Sequence, residues 1–134
     1  MKLTWLFIDD TPMGTDTHIC DFLCVNVLRP FFDLLDTSGM KIGMALSPSL
    51  LQFLTEEEEE LFAMLSAFVE DGIVELIVTL SFPTNALTPN AIHFHLEEKN
   101  RLYKRFFRIQ SRILLPFGFS YDEKVLPVAA QLGF

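Results

Sequence analysis

Compact apolar runs rich in aromatic and branched side chains alternate along this chain with longer stretches whose apolar residues recur every three or four positions. These are the signatures of buried strands and of amphipathic helices. The run Leu3 to Ile8 predicts a first strand. Residues 17–37 predict a helix with Phe22, Leu23, Val27, Phe31, Leu34 and Leu35 on one face, and Pro30 must either kink it or open a second helix as its first residue. Gly39 supplies the stop. Met40 to Leu46 predicts the second strand, after which Ser47 and Pro48 cap and open a short helix through Leu54. Thr55 restarts the pattern. With Glu58 it fits a capping box, and the acids 56–60 suit the positive end of a helix whose buried stripe is Leu61, Leu65, Phe68 and Val69. Gly72 ends that helix. Ile73 to Phe82 predicts the third strand, dense in Val, Ile and Leu. Thr88 and Pro89 open a long helix to about Ile113, with Ile92, Leu96, Tyr103, Phe106 and Ile113 inward and a Glu97–Arg101 pair outward. Leu114 to Tyr121 predicts a fourth strand interrupted by Pro116 and Gly118, and Asp122 caps a last helix through Leu132.

The order is βα repeated four times, for which parallel pairing with right-handed crossovers is expected. The expected fold class is therefore α/β, with four parallel β-strands alternating with helices. The 134 residues carry 50% apolar side chains and no repeat or low-complexity linker. That predicts one packed domain over residues 1–134 and excludes a disordered chain.

Charge narrows the function classes. The net charge is −8, and residues 1–60 hold three basic against eleven acidic side chains. Such a surface repels phosphate backbones. Lys99, Arg101, Lys104, Arg105, Arg108 and Arg112 form the one basic cluster, read as the solvated face of a helix, so no nucleic-acid partner is expected. No apolar run reaches the roughly 18 residues that span a bilayer, and the opening run is cut short by Asp9 and Asp10; no membrane partner and a cytoplasmic location are expected. Cys20 and Cys24, the only cysteines, read as buried small hydrophobes.

In parallel α/β sheets, ligands bind at the carboxyl ends of strands. After the first strand stand Asp9 and Asp10, then Thr11 and Pro12. Adjacent carboxylates on extended chain point to opposite sides, so one can ligate a metal while the other takes a proton from metal-bound water. Asp and Pro also serve turn geometry here, and on spacing alone the turn is favoured. His93 and His95, two apart on a helix, lie on different faces and read as surface or cap residues.

Phe7-Ile8-Asp9-Asp10-Thr11-Pro12 is similar to the first motif of polysaccharide deacetylases of the NodB-homology family, T-F-D-D-G-P. Thr79, Leu80, Ser81 and Pro83 stand in register with the second, H-T-x-T-H-P. Pro116-Phe117-Gly118, Tyr121 to Leu126 and Leu132-Gly133-Phe134 resemble the third motif and its sequel. The resemblance implies half of a distorted (β/α) barrel of glycoside hydrolase/deacetylase type. It also implies Asp9 as general base, Asp10 as ligand to a divalent, zinc-like metal, and Pro116, Phe117 and Tyr121 as contacts to substrate. Val78 and Phe82 occupy the two histidine positions of the second motif, and Leu114 stands where the third usually has Arg. A second resemblance, Gly72-Ile73-Val74-Glu75-Leu76 to the G-x-V-E-I strand of family 57 glycoside hydrolases, would place their nucleophile at Glu123. Retaining hydrolysis needs a second carboxylate about 5 Å away.

The expectation is a carbohydrate-active hydrolase relative, deacetylase-like toward N-acetyl sugars and catalytically impaired, with carbohydrate as ligand. Two alternatives stay open: a non-catalytic interaction or structural subunit, and a fragment of a family 57-like α-glucan enzyme. Four strands cannot close a barrel, so either two copies associate as a homo-oligomer, or the strands stay a small open layer, or the chain is a piece of something longer.

Overall fold

The computed structural model describes residues 5–12, 14–80, 83–116 and 122–134. The chain divides into two compact units, Met1–Glu75 and Leu76–Phe134, which are described in turn.

In the first unit, β1 (Trp5–Ile8) pairs in parallel with β2 (Ile42–Ala45), Trp5 facing Ile42 and Ile8 facing Ala45. The sheet order is β1-β2-β3, with β3 at Val74–Leu76. Between β1 and β2 run α1 (Thr17–Leu23) and α2 (Arg29–Ser38). They are joined by a π-helical turn over Cys24–Leu28. Pro30 is the reason: it has no N–H to donate and its ring crowds the carbonyl four residues back, and widening the preceding turn relieves both problems without ending the helix. The proline that the sequence left as kink or restart thus produces a π-bulge inside a continuous helical path. Gly39 terminates α2 in the left-handed conformation at φ 65°, where any other L residue pays for its Cβ.

After β2, Ser47 caps α3 (Pro48–Glu57), its hydroxyl accepting from the Leu50 amide at 3.1 Å. The predicted Thr55 cap is corrected. The Thr55 hydroxyl donates to the Gln52 carbonyl, α3 runs on through Glu57, and the break falls at Glu58 before α4 (Glu59–Glu70). Arg29 bridges Glu58 at 3.3 Å and Glu60 at 3.0 Å, so the break is pinned from α2. The core of this unit holds Phe32 edge-on to Phe68, with Leu28, Leu35, Met44, Leu54, Leu61 and Leu65 fully buried.

The third predicted strand does not persist as one strand. After β3 the chain breaks at Ile77, and β4 (Val78–Thr79) pairs in parallel with β5 (Leu114–Leu115). The Ile77 carbonyl is taken by the Tyr103 hydroxyl at 2.9 Å, a side chain standing in for a ladder partner. Among the described residues the sheets therefore number three and two strands, and the expected four-stranded layer is replaced by this split arrangement.

A 3₁₀ turn (Thr84–Ala86) leads to α5 (Pro89–Phe107), with Thr88 as N-cap. This helix ends at Phe107, six residues earlier than predicted, and its C-cap Arg108 adopts a left-handed conformation. Ile113 is consequently exposed instead of inward-facing. On the outer face Arg101 pairs with Glu98, not with Glu97, which lies 3.8 Å from His93. The last element is α6 (Val125–Leu132). No described helix is long and apolar enough to cross a membrane.

Candidate functional site

The carboxyl end of β1 carries the residues singled out from sequence. The Asp9 amide extends the β1–β2 ladder by donating to the Ala45 carbonyl at 2.9 Å, which leaves the Asp9 side chain at the mouth between the two strands. There it is nearly buried and its carboxylate is engaged on both oxygens. Oδ1 accepts from the Thr11 amide at 3.2 Å and from the Thr11 hydroxyl; Oδ2 accepts from the Ser47 amide at 3.0 Å. The first contacts make an Asx turn. The last joins the end of β1 to the N-terminus of α3, where an acid is favoured by the orphan amides. The Thr11 contacts are the turn geometry that Asp and Pro can serve at this place.

Asp10, the next residue, is exposed and lines a cavity of about 520 Å³ together with Asp9, Phe7, Thr11, Leu23, Val27 and Leu50. Phe7 also stacks on Phe31, with ring centroids 5.4 Å apart. The cavity is therefore a mostly apolar bowl with a carboxylate on its rim. Such a surface can hold the C–H face of a polyol against Phe7 while Asp10 accepts from its hydroxyls.

The residues do not make a metal centre. Among the described residues no three His, Cys, Asp or Glu side chains converge on one point. Zinc sites need at least three nitrogen, sulfur or oxygen ligands in tetrahedral order. Val78, at the first histidine position of the second motif, is fully buried and pairs with Leu114 in the β4–β5 ladder, so this position is spent on packing. Phe82 lies outside the described residues. Cys20 and Cys24 are buried and free. Burial pushes the Cys24 thiol up to about 12, helped by the nearby charges of Glu58, Cys20 and Asp21 and opposed by Arg29. A neutral thiol of this kind neither attacks nor ligates.

In the second unit, Glu123 is exposed in the turn that precedes α6. Its neighbour Asp122 accepts from the Lys124 amide at 3.0 Å. That bond, with a second from the Thr84 hydroxyl, holds the Asp122 carboxyl below the usual carboxylate range. Pro116 lines a second cavity, of about 500 Å³, with Arg112, Leu114, Asp122, Leu126 and Phe134. Phe117 and Tyr121 lie outside the described residues.

One polar constellation was foreseen from sequence only at Tyr103. Lys99, Asn100 and Tyr103 are all buried on the inner face of α5. The Lys99 ammonium donates to the Thr79 carbonyl and, at 3.1 Å, to the Thr79 hydroxyl, at the carboxyl end of β4. Asn100 exchanges two bonds with the Ser111 backbone, at 3.0 and 3.2 Å. Lys99 therefore does not belong to the solvated basic face. The signal was available: positions 92, 96, 99, 100 and 103 share one helical face.

Comparison with known proteins places the fold. No protein-family model matches the chain, and no curated protein matches it in sequence. Among solved structures it is similar to a 4-alpha-glucanotransferase from Thermococcus litoralis, with a TM-score of 0.85 and 16% identity over 98% of this chain and 21% of that one. It is also similar to a mutant of a CE4 family pseudoenzyme with restored enzymatic activity, with a TM-score of 0.66 and 14% identity over 98% of this chain and 42% of that one. The chain thus shares a fold with part of each, and spans less than half the length of either.

Proposed function

We propose that this chain is a carbohydrate-binding relative of the polysaccharide deacetylases in which the hydrolytic machinery is lost. The observation that carries this reading is the engagement of Asp9. The carboxylate that would act as general base accepts from the Thr11 and Ser47 amides and is almost withdrawn from solvent. A base must instead present a lone pair to the proton that it removes. The residue types agree, since a valine and a phenylalanine hold the positions where the family places imidazole ligands. The fold shared with a 4-alpha-glucanotransferase and with a CE4 family pseudoenzyme supports a carbohydrate-enzyme ancestry.

What remains is a bowl at the carboxyl end of β1, with an aromatic wall at Phe7 and an accepting rim at Asp10. Sugars are bound by this combination of ring stacking and hydrogen bonding. The test is calorimetric titration of the purified chain with chitooligosaccharides and with malto-oligosaccharides, in parallel with an assay for released acetate. Saturable binding of one series, weakened in Phe7→Ala and in Asp10→Ala, with no acetate released, is the expected result. Acetate release above the uncatalysed rate, or no binding of either series, overturns the reading.

A further inference from the structure

We propose that the open edge strands β1 and β5 are an interface, and that each takes the opposite edge of a second copy of this chain in head-to-tail pairing. Among the described residues β1 is a terminal strand of its sheet, bonded to β2 along one side. Its four residues are all apolar, and Trp5, Leu6 and Ile8 are 56%, 43% and 41% exposed. Natural sheets protect such edges with Lys, Pro, a bulge or a covering element. Within Trp5–Ile8 there is neither Lys nor Pro. Parallel strands are ordinarily buried on both faces, so an exposed apolar parallel edge is out of keeping with its class.

β5 presents the counterpart. It is bonded to β4 along one side, and beside it lies the 500 Å³ groove with Leu126 exposed at 55%. Charge gives the pairing its polarity. The first unit carries three basic and fourteen acidic side chains, a net of −11, whereas the second carries seven and four, a net of +3. Pairing β1 with β1 brings two strongly acidic surfaces together. Pairing β1 with β5 brings the acidic unit of one copy to the basic unit of the other, with Asp10 following the first edge and Arg112, alongside Asp122, lining the groove at the second. The two edges differ, so the contact is heterologous and leads either to a closed pair or to a longer run of copies.

Two measurements test this at physiological ionic strength. Sedimentation equilibrium is expected to give a mass of two or more 15.4 kDa chains, reduced to one in Leu6→Lys with circular dichroism unchanged. Independently, Leu6→Cys and Leu126→Cys proteins are mixed with a short bis-maleimide; both positions are exposed, and the native cysteines are buried. A cross-linked species containing one chain of each kind, absent when either is treated alone, supports head-to-tail pairing. Self-cross-linking of Leu6→Cys, or a single-chain mass at every concentration of the unmodified protein, overturns it. This outcome is independent of whether the bowl beside β1 binds sugar.

Discussion

The Asp9 carboxylate receives the Ser47 amide at 3.0 Å across thirty-eight residues of sequence, so the end of β1 and the start of α3 are fixed to each other by one buried bond. Removing a buried acceptor leaves its donors unsatisfied and costs about 1–3 kcal/mol. Asp9→Ala should therefore lower the free energy of unfolding by that amount, read as a lower urea midpoint at unchanged m, since the Thr11 and Ser47 amides lose their partner together. Asp10→Ala removes an exposed carboxylate and should stay within about 0.5 kcal/mol. Comparable costs for the two substitutions would contradict the structural role assigned to Asp9.

The buried polar face of α5 makes a second stability prediction. The Tyr103 hydroxyl occupies the Ile77 carbonyl where the strand breaks, and the Lys99 ammonium occupies the Thr79 carbonyl two residues on. Tyr103→Phe keeps the ring and loses one hydrogen bond, for about 0.5–1.5 kcal/mol. Lys99→Met keeps most of the stem and leaves a buried carbonyl without this donor, so it should cost more, about 1–3 kcal/mol. Arg101→Met on the outer face should be close to neutral. Thermal or denaturant unfolding of the three variants gives the order directly.

Long elements with one dominant period were legible in the sequence. α4 and α5 begin or bury their stripes where the apolar spacing places them, because many contacts along each helix fix its rotation. The failures lie where a single distant side chain decides. Thr55 and Glu58 fit a capping box by spacing, yet α3 runs on and the break falls three residues later at Glu58, where Arg29 from α2 meets Glu58 and Glu60. The apolar run from Ile73 reads as one strand, yet the Tyr103 hydroxyl takes the carbonyl at which it divides. At the candidate site, the sequence located the Asp pair correctly at a strand end. Which carboxylate was occupied depended on the Ser47 amide, a backbone group that no motif encodes.

Metal addition and removal test the strand end against the metal-dependent chemistry that the deacetylase resemblance implies. A ligand that binds only the folded state raises its stability in proportion to the logarithm of ligand concentration over Kd. With no convergent ligand set among the described residues, zinc in modest excess should leave the melting temperature unchanged, and chelator should do the same. Atomic absorption of the purified chain should find less than stoichiometric zinc, cobalt or nickel. A rise in melting temperature with zinc that is abolished in Asp10→Ala would instead restore the metal reading of the strand end.

The Cys24 thiol predicts the alkaline limit of stability. Burial holds its folded value at about 12, against 9.0 for an ordinary thiol. Between those values the unfolded chain loses the proton and the folded chain keeps it, so the unfolded state binds fewer protons and stability falls as pH rises. Below the unfolded value both states are protonated, and this contribution is fully present. The urea midpoint should therefore decline as pH climbs through the window above 9, and Cys24→Ala, though less stable at neutral pH for want of packing, should decline less steeply. Thiol reagents report the same burial kinetically: at neutral pH neither cysteine should react until urea opens the core, because a protonated, enclosed sulfur is no nucleophile. Rapid labelling of Cys24 in the folded chain would contradict both the enclosure and the pH slope that follows from it.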